Sequence, residues 1–237
     1  MTARYYSAAP IIDQRVVIDG DEAHHLLHVM RAGPGVRVVL FDGSGSEFDA
    51  EVKSCQRRTV ELEVLSHREV NRELSNRLVM GVALPKGDRQ KWLVEKLTEL
   101  GVTELVPLST ERSVAQPGGA AIDRLARTVI EASKQCGRNR LMRISPARTF
   151  ADFVSAVTKE TTVQRIIAHP TGKKLDKLAH LSQRDFHCAV GPEGGFADSE
   201  TEAALAAGWE IVSLGPRILR IETAAIALAA NLANRRG

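Results

Sequence analysis

Residues 190–196, Val-Gly-Pro-Glu-Gly-Gly-Phe, and residues 214–223, Leu-Gly-Pro-Arg-Ile-Leu-Arg-Ile-Glu-Thr, are the two stretches that decide the fold. A short apolar run that predicts a buried strand precedes each of them, at 188–190 and at 211–214, and a helical pattern follows each. In open α/β sheets ligands bind at the carboxyl ends of strands, where glycine lets a ligand approach the backbone and proline stiffens the loop. These two glycine-proline loops therefore predict a binding site, with a pair of ordinary turns as the alternative interpretation.

The length and composition of the chain suit a protein of one large or two small domains. It has 237 residues, of which 43% are hydrophobic, enough for a sizeable core. No apolar run reaches the roughly 18 residues of a membrane span, and the first residues lack the apolar stretch of a signal peptide, so we expect a cytoplasmic protein without a membrane partner. The three cysteines are far apart and predict neither a disulfide framework nor a metal site.

The sequence pattern predicts that the N-terminal third of the chain is rich in β-strands. Strand-like runs occur at 16–18, 36–41, 48–52 and 60–65, with one short helix expected over 21–30. Such a pattern predicts a small barrel, a fold that often presents loops and a face to RNA. We therefore place a first domain at 1–70, a polar linker at 71–76 and a second domain at 77–237.

Strands and helices alternate in the second domain. Strands are expected at 78–84, 102–108, 163–168 and 187–190, and helices at 89–100, 122–136, 150–157 and 199–208. This alternation implies an α/β fold, a parallel sheet with helices on both sides. The last helix, roughly 222–235, is apolar all round, so we expect it to be buried either in a subunit interface or in the sheet layer of its own monomer.

The charge pattern gives a hint about partners. The net charge is only +3, but arginines are frequent in the N-terminal third and around 138–148. Because arginine suits bidentate contacts with phosphate, this distribution favours a nucleic-acid partner, and ordinary solvated surface charge is the alternative. Aromatic residues make up only 4% of the chain, which argues against a broad platform for stacking bases.

The first glycine-proline loop is not a phosphate loop. It lacks the Lys-Ser/Thr ending of a P-loop and does not match the dinucleotide fingerprint, so a nucleotide-dependent oxidoreductase is disfavoured. Glu193 within it would repel a phosphate but tolerate a cation. A cofactor with a positive charge and an adenosyl group, such as S-adenosylmethionine, fits this chemistry better.

Together the two glycine-proline loops resemble those of the RsmE family, uracil-N3 methyltransferases of small-subunit (16S) ribosomal RNA in the SPOUT superfamily. Further segments carry the resemblance over nearly the whole chain, at 24–31, 41–45, 86–88, 96–102 and 131–138. The resemblance implies a SPOUT-type parallel sheet with a C-terminal trefoil knot and an N-terminal PUA-like β-barrel that binds RNA. It also implies a homodimer, which agrees with the apolar last helix.

The resemblance implies an enzyme that transfers the methyl group of S-adenosylmethionine to N3 of a specific uridine in 16S ribosomal RNA. For catalysis we expect Arg220 or Arg138 to stabilise negative charge on the uracil oxygens as the N3 proton leaves. Glu222 could orient an arginine or take that proton, and the alternative is a first-turn residue that only suits the helix dipole.

The residues expected to bind the cofactor lie at three strand ends and, in the case of Ala224, in the last helix. They are Ile167, Ala168, His169, Gly191, Pro192, Glu193, Gly195, Leu214, Gly215, Ile218, Leu219 and Ala224. The residues expected to contact RNA are Arg4, His28, Arg31, Lys86 and Arg138.

Two alternatives accompany this reading. His24, His25 and His28 could suggest a metal site, but no third ligand supports the pair at helical spacing, so no metal is expected. The second alternative is a non-catalytic RNA-binding protein with a vestigial cofactor pocket, against which the intact glycines of both loops argue.

Overall fold

The computed structural model describes residues 3–113, 119–157, 162–175 and 184–234. It divides the chain into two compact units, and the first joins Met1–Glu73 to Ser133–Leu141. The second unit joins Leu74–Ala132 to Met142–Gly237. Residues 133–141 were expected in the second domain, whereas in the structure this returning segment (133–141) belongs to the first unit. The exact domain boundaries stay a prediction.

The described residues of the first unit form a curled five-stranded sheet and a short helix, joined by the last residues of a longer helix. Its strands are β1 (Arg4–Tyr6), β2 (Arg15–Ile18), β3 (Arg37–Phe41), β4 (Ser46–Cys55) and β5 (Val60–Glu69), in the spatial order β1-β3-β4-β5-β2. Only the pairing of β1 with β3 is parallel. Helix α1 (Gly20–His24) runs directly into a π-helical turn, His25–Val29. The β-rich character of the N-terminal third and its one short helix are confirmed.

Alternating side chains of these strands build the core of the first unit. Along β5, Val60 and Leu62 are completely buried while Glu61 and Glu63 are only partly covered, as expected for a strand with one face toward the core. The buried side chains pack with Tyr5, Leu26 and Leu40 into one hydrophobic cluster. The N-terminal pattern thus encodes a self-contained core.

The second unit contains a seven-stranded sheet. Its strands are β6 (Leu78–Val82), β7 (Glu104–Ser109), β8 (Arg143–Ile144), β9 (Arg148–Thr149), β10 (Val163–Lys174), β11 (Asp185–Val190) and β12 (Glu210–Ser213). The order is β12-β10-β11-β6-β7-β8, β9 pairs with β7, and every pairing among the described residues is parallel. The parallel α/β fold is confirmed, and the trefoil knot implied by the resemblance stays a prediction.

The described part of the second unit adds five helices to this sheet. They are α2 (Arg89–Glu99), α3 (Gly119–Cys136), α4 (Phe150–Ser155), α5 (Asp198–Ala206) and α6 (Ile221–Ala233). Helix α3 begins in the second unit and its last residues, from Ser133, belong to the first. Among the described residues, no helix combines the length and hydrophobicity needed to cross a membrane.

Helix α6 is buried within its own monomer along one face. It packs against α2, β6 and β11 and buries Ala225, Leu228 and Ala229 completely. Ile226 and Ala227 are only partly buried. Burial in the sheet layer, one of the two alternatives drawn from the sequence, therefore accounts for the inner face. Arg235, the expected end of this helix, lies outside the described residues.

Candidate functional site

A pocket opens at the carboxyl ends of three adjacent parallel strands of the second unit. One wall comes from β10, whose pairing with β12 breaks after Ala168 and resumes at Lys173. The other walls come from the loops that follow β11 and β12. The lining residues are Ala168, His169, Pro170, Val190, Gly191, Pro192, Glu193, Gly195, Phe196, Leu214, Gly215, Arg217, Ile218, Leu219, Ile221 and Ala224. The two glycine-proline loops thus meet in one site.

The pocket contains every residue expected to bind the cofactor except Ile167. Ile167 is completely buried and packs in the hydrophobic core with Val79 and Ala189. The difference follows from strand geometry, since neighbouring side chains of a strand point to opposite faces. Five further lining residues were not expected from the sequence: Pro170, Val190, Phe196, Arg217 and Ile221. All of them except Pro170 belong to the two glycine-proline stretches, 190–196 and 214–223.

Two glycines leave bare backbone in the walls of the pocket. Gly195 and Gly215 have φ angles of +71° and +126°, a backbone region that favours glycine. At either position a β-carbon would meet no heavy atom within 4 Å. The space beside the bare backbone is therefore open to a ligand.

Arg89, the first residue of α2, bridges two carboxylates at this site. Its Nη1 atom lies 3.6 Å from Oε1 of Glu193 and 3.7 Å from Oε1 of Glu222. Glu193 lines the pocket, whereas Glu222 lies in the first turn of α6 with its side chain only 5% exposed. One guanidinium thus joins the first glycine-proline loop to the last helix. Arg89 was not among the site residues expected from the sequence, although it follows the 86–88 segment after β6.

Two of the three expected catalytic residues flank the pocket. Arg220 is exposed and immediately precedes α6, and it forms no ion pair within the described part of the chain. Glu222 is buried, and its Oε2 atom has no hydrogen-bond partner among the described residues. Pocket-lining Ile221 separates them. An accessible cation and an unsatisfied acceptor thus stand on either side of Ile221 in sequence, although neither side chain lines the pocket.

Arg138, the third expected catalytic residue, does not line this pocket. It belongs to the returning segment of the first unit and is 3% exposed. Its Nε and Nη2 atoms donate to the two carboxylate oxygens of Glu73 at 3.0 and 2.5 Å. A buried arginine held in this bidentate way has a structural explanation within the first unit.

Arg4 is likewise engaged within the first unit. Its guanidinium donates to Oε1 of Glu47 at 2.6 Å and to Oδ1 of Asn139 at 2.5 Å. Arg68 and Arg72 also contact Glu47. Burial by itself would raise the pKa of Glu47, but hydrogen bonds from Arg72 and Arg4 outweigh it and lower the pKa to about 2. Glu47 therefore stays ionised as the centre of an arginine cluster.

The other residues expected to contact RNA are exposed. His28 and Arg31 lie in and just after the π-helical turn of the first unit, and Arg31 has a φ angle of +51°. Lys86 follows β6 in the second unit and is also exposed. The ring of His28 lies 4.8 Å from that of His24, centroid to centroid. Among the described residues no group of three or more His, Cys, Asp or Glu side chains could hold a metal ion.

Comparison with protein families gives two adjacent matches. An RNA methyltransferase domain matches residues 72–233, and an RNA methyltransferase PUA domain matches residues 18–65. Curated relatives named ribosomal RNA small subunit methyltransferase E include a Synechocystis protein, 34% identical over 226 residues that cover 92% of this chain and 73% of that protein. The Bacillus subtilis relative of that name is 29% identical over 87% of this chain and 85% of its own.

Solved structures share the whole fold. A methyltransferase from Legionella pneumophila, in complex with S-adenosylmethionine, superposes with a TM-score of 0.91 at 30% identity, covering 98% of this chain and 97% of its own. A ribosomal RNA small subunit methyltransferase E from Neisseria gonorrhoeae, bound to S-adenosylmethionine, gives a TM-score of 0.88 at 29% identity with the same coverage.

Proposed function

Because this chain belongs to the ribosomal RNA small subunit methyltransferase E family, we propose that it transfers the methyl group of S-adenosylmethionine to N3 of a uridine in 16S ribosomal RNA. The observation that carries the proposal is the pocket in which the two glycine-proline loops meet at the carboxyl ends of β10, β11 and β12. Ligands bind at this edge of parallel sheets, and two similar structures were solved with that cofactor.

The residues of the pocket fit S-adenosylmethionine. The open space beside Gly195 and Gly215 admits a ligand against bare backbone. Leu214 and Leu219 offer apolar surface to an adenosyl group, and the Glu193 carboxylate suits a sulfonium better than a phosphate. When bound, the cofactor supplies an electrophilic methyl group.

The chain's own residues then have separate tasks. Arg220, exposed at the start of α6, stabilises negative charge on the uracil oxygens as the N3 proton departs. Glu222 orients Arg89 through its Oε1 atom and offers Oε2 as an acceptor for a hydrogen bond or a proton. Arg89 in turn holds Glu193 at the pocket. Groups held in position in this way lower the activation free energy, because the entropic cost of orienting the reactants is met when the substrates bind.

The assembly and location follow from the same proposal. We propose a homodimer in which the partly buried face of α6, with Ile226 and Ala227, lies at the contact between subunits. The first unit provides the surface for ribosomal RNA, and the reaction takes place in the cytoplasm, where the ribosomal subunit is.

Methyl mapping tests the proposed reaction. Small subunits and naked 16S ribosomal RNA from a strain that lacks this gene are incubated with the protein and labelled S-adenosylmethionine, and the modified nucleoside is identified by mass spectrometry. One methyl group on uracil N3 is expected. A methyl group on another atom contradicts the reaction. A protein that binds RNA and never transfers a methyl group would be the non-catalytic alternative.

A further inference from the structure

A cleft in the first unit lies between α1 with its π-helical turn and the connection from β4 to β5. It has a volume of about 340 Å³ and is lined by Gly20, Asp21, His24, His28, Arg57 and Arg58. The connection is a tight turn, closed by a 2.9 Å hydrogen bond from the Gln56 N–H to the Thr59 carbonyl. This turn holds two consecutive arginines beside two imidazoles.

The charge of this arginine-histidine cleft (residues 20, 21, 24, 28, 57 and 58) is not neutralised from within. Arg57 and Arg58 are exposed and take part in no ion pair among the described residues. Asp21 is the single carboxylate of the lining, so the cleft keeps an excess positive charge even with both imidazoles neutral.

Several other arginines of the same unit form ion pairs. Arg4, Arg68 and Arg72 contact Glu47, while Arg15 contacts Glu61 and Arg37 contacts Glu51. These arginines each have a carboxylate partner, whereas Arg57 and Arg58 form no ion pair among the described residues. Two adjacent guanidinium groups with free donors form a site for an anion with several acceptor oxygens.

We infer that the arginine-histidine cleft binds a phosphate of the RNA backbone, an inference that rests on the proposed function. Phosphate accepts several hydrogen bonds, and both Arg57 and Arg58 as well as the ring nitrogens of His24 and His28 can donate them. No aromatic residue beyond the two histidines lines the described walls of the cleft, so they offer no further ring on which a base could stack. A contact with the phosphate backbone positions the RNA and carries no direct information about its sequence.

This site replaces one of the contacts expected from the sequence. Arg4 is held by Glu47 and Asn139, so its guanidinium is committed to the first unit. His28, which the sequence analysis assigns to RNA, lies in the cleft itself. Arg57 and Arg58 were absent from that assignment because nothing in the sequence separates paired from unpaired arginines.

A salt titration of RNA binding tests the inference. The full-length Arg57→Ala/Arg58→Ala variant is compared with wild type for binding to a 16S ribosomal RNA fragment. We expect RNA binding by this variant to be about tenfold weaker at low salt. The slope of log affinity against log salt should be smaller in magnitude by about 1 to 2, because a phosphate that is no longer contacted keeps its counterions. The Arg57→Lys/Arg58→Lys variant should recover most of the slope, since it restores the charge.

Two controls make the result specific. The Arg15→Ala/Arg37→Ala variant removes the same charge from exposed positions of the same unit and should leave the slope within experimental error. Calorimetry with S-adenosylmethionine should give unchanged affinity for all variants. An equal loss of RNA affinity in the Arg15→Ala/Arg37→Ala variant would show that RNA binding depends on net charge alone and would contradict the proposed phosphate site.

Free phosphate and ribosomal RNA are distinguished in a separate arm. Inorganic phosphate is titrated while the His24 and His28 ring signals are followed by NMR. Saturation at micromolar phosphate, together with an unchanged RNA salt slope in the alanine variant, would indicate a site for a free anion and contradict the inference. If the wild-type protein binds no ribosomal RNA, the proposed function fails. If the wild type binds and the alanine variant binds equally well, only the cleft fails.

Discussion

The Arg138 guanidinium and the Glu73 carboxylate face each other through two hydrogen bonds, of 3.0 Å from Nε and 2.5 Å from Nη2. Both residues belong to the first unit, although they are 65 positions apart in sequence. The pair fastens the returning segment to the end of the β-rich N-terminal part. Its geometry makes Arg138 a structural residue first, which changes what its substitution should do.

Replacing Arg138 by alanine should lower the free energy of unfolding. The change leaves the Glu73 carboxylate without its partner, and breaking such a buried pair costs about 3 kcal/mol. Urea unfolding followed by circular dichroism measures the loss. In the Glu73→Gln/Arg138→Met variant, where neither charge remains, we expect at least half of the stability to return.

Measurements of cofactor affinity and of methyl transfer distinguish the structural role of Arg138 from a catalytic role. Affinity for S-adenosylmethionine should stay within about threefold of wild type, because Arg138 does not line the pocket. An Arg138→Ala protein of wild-type stability that transfers methyl groups a hundredfold more slowly would restore the catalytic role expected from the sequence.

Gly215→Val should weaken cofactor binding by tenfold or more. Its φ angle of +126° is strained for any residue with a β-carbon, and the valine side chain would fill the open space beside the loop. Calorimetry with S-adenosylmethionine and with its demethylated product, in the presence of a chelator, measures the effect. Gly35→Val is the matched control, since Gly35 also has a positive φ and open space but lies in the first unit. Equal losses in both variants would point to general destabilisation.

Arg89→Met should weaken binding of S-adenosylmethionine by several-fold. Without the guanidinium, the carboxylates of Glu193 and Glu222 lose the cation that lies within 4 Å of both. Arg89→Lys should recover part of the affinity because it keeps the charge. Adding Glu222→Gln to Arg89→Met should recover a further part, since it removes the buried charge that Arg89 leaves unpaired. Strictly additive effects of the two substitutions would show that Arg89 and Glu222 act independently.

Acid should remove a stabilising contribution of Glu47. Its pKa is lowered in the folded state from an ordinary value of 4.5 to about 2, so its contribution is complete above about pH 4.5 and is lost as the pH falls to about 2. At about 1.4 kcal/mol per pH unit, the loss amounts to about 3 kcal/mol. Unfolding curves of wild type and Glu47→Gln should differ at pH 6 and converge near pH 2. A difference that is independent of pH would exclude this origin.

Two neighbouring positions of α6 test the proposed dimer. Leu228 is completely buried inside the monomer, so Leu228→Glu should unfold the chain whatever its assembly. Ala227 is only partly buried, and Ala227→Glu should give a folded monomer when the wild type is a dimer. Light scattering and circular dichroism together distinguish these outcomes. A folded wild-type monomer at micromolar concentration would contradict the homodimer.

The parallel sheet and the pocket could be predicted because their signals are local. Continuous apolar runs such as Leu78–Val82 mark strands that are covered on both faces, and glycine and proline mark the loops at their ends. Which arginine is buried has no local signal. Arg138 and Arg57 look alike in sequence, but Arg138 pairs with Glu73 across 65 positions, whereas Arg57 forms no ion pair among the described residues. Long-range pairing of this kind arises only when the chain folds.

The contribution of residues 133–141 to the first unit has a consequence for biosynthesis. During translation, Met1–Glu73 leaves the ribosome well before Ser133–Leu141 does. Until then Glu73 lacks its partner Arg138. Arg4, which contacts Glu47, likewise lacks its second partner, Asn139. The first unit of the nascent protein therefore reaches its final form only after the start of the second unit has been made. If the first unit carries the proposed RNA surface, an emerging fragment should compete poorly with the finished protein for ribosomal RNA.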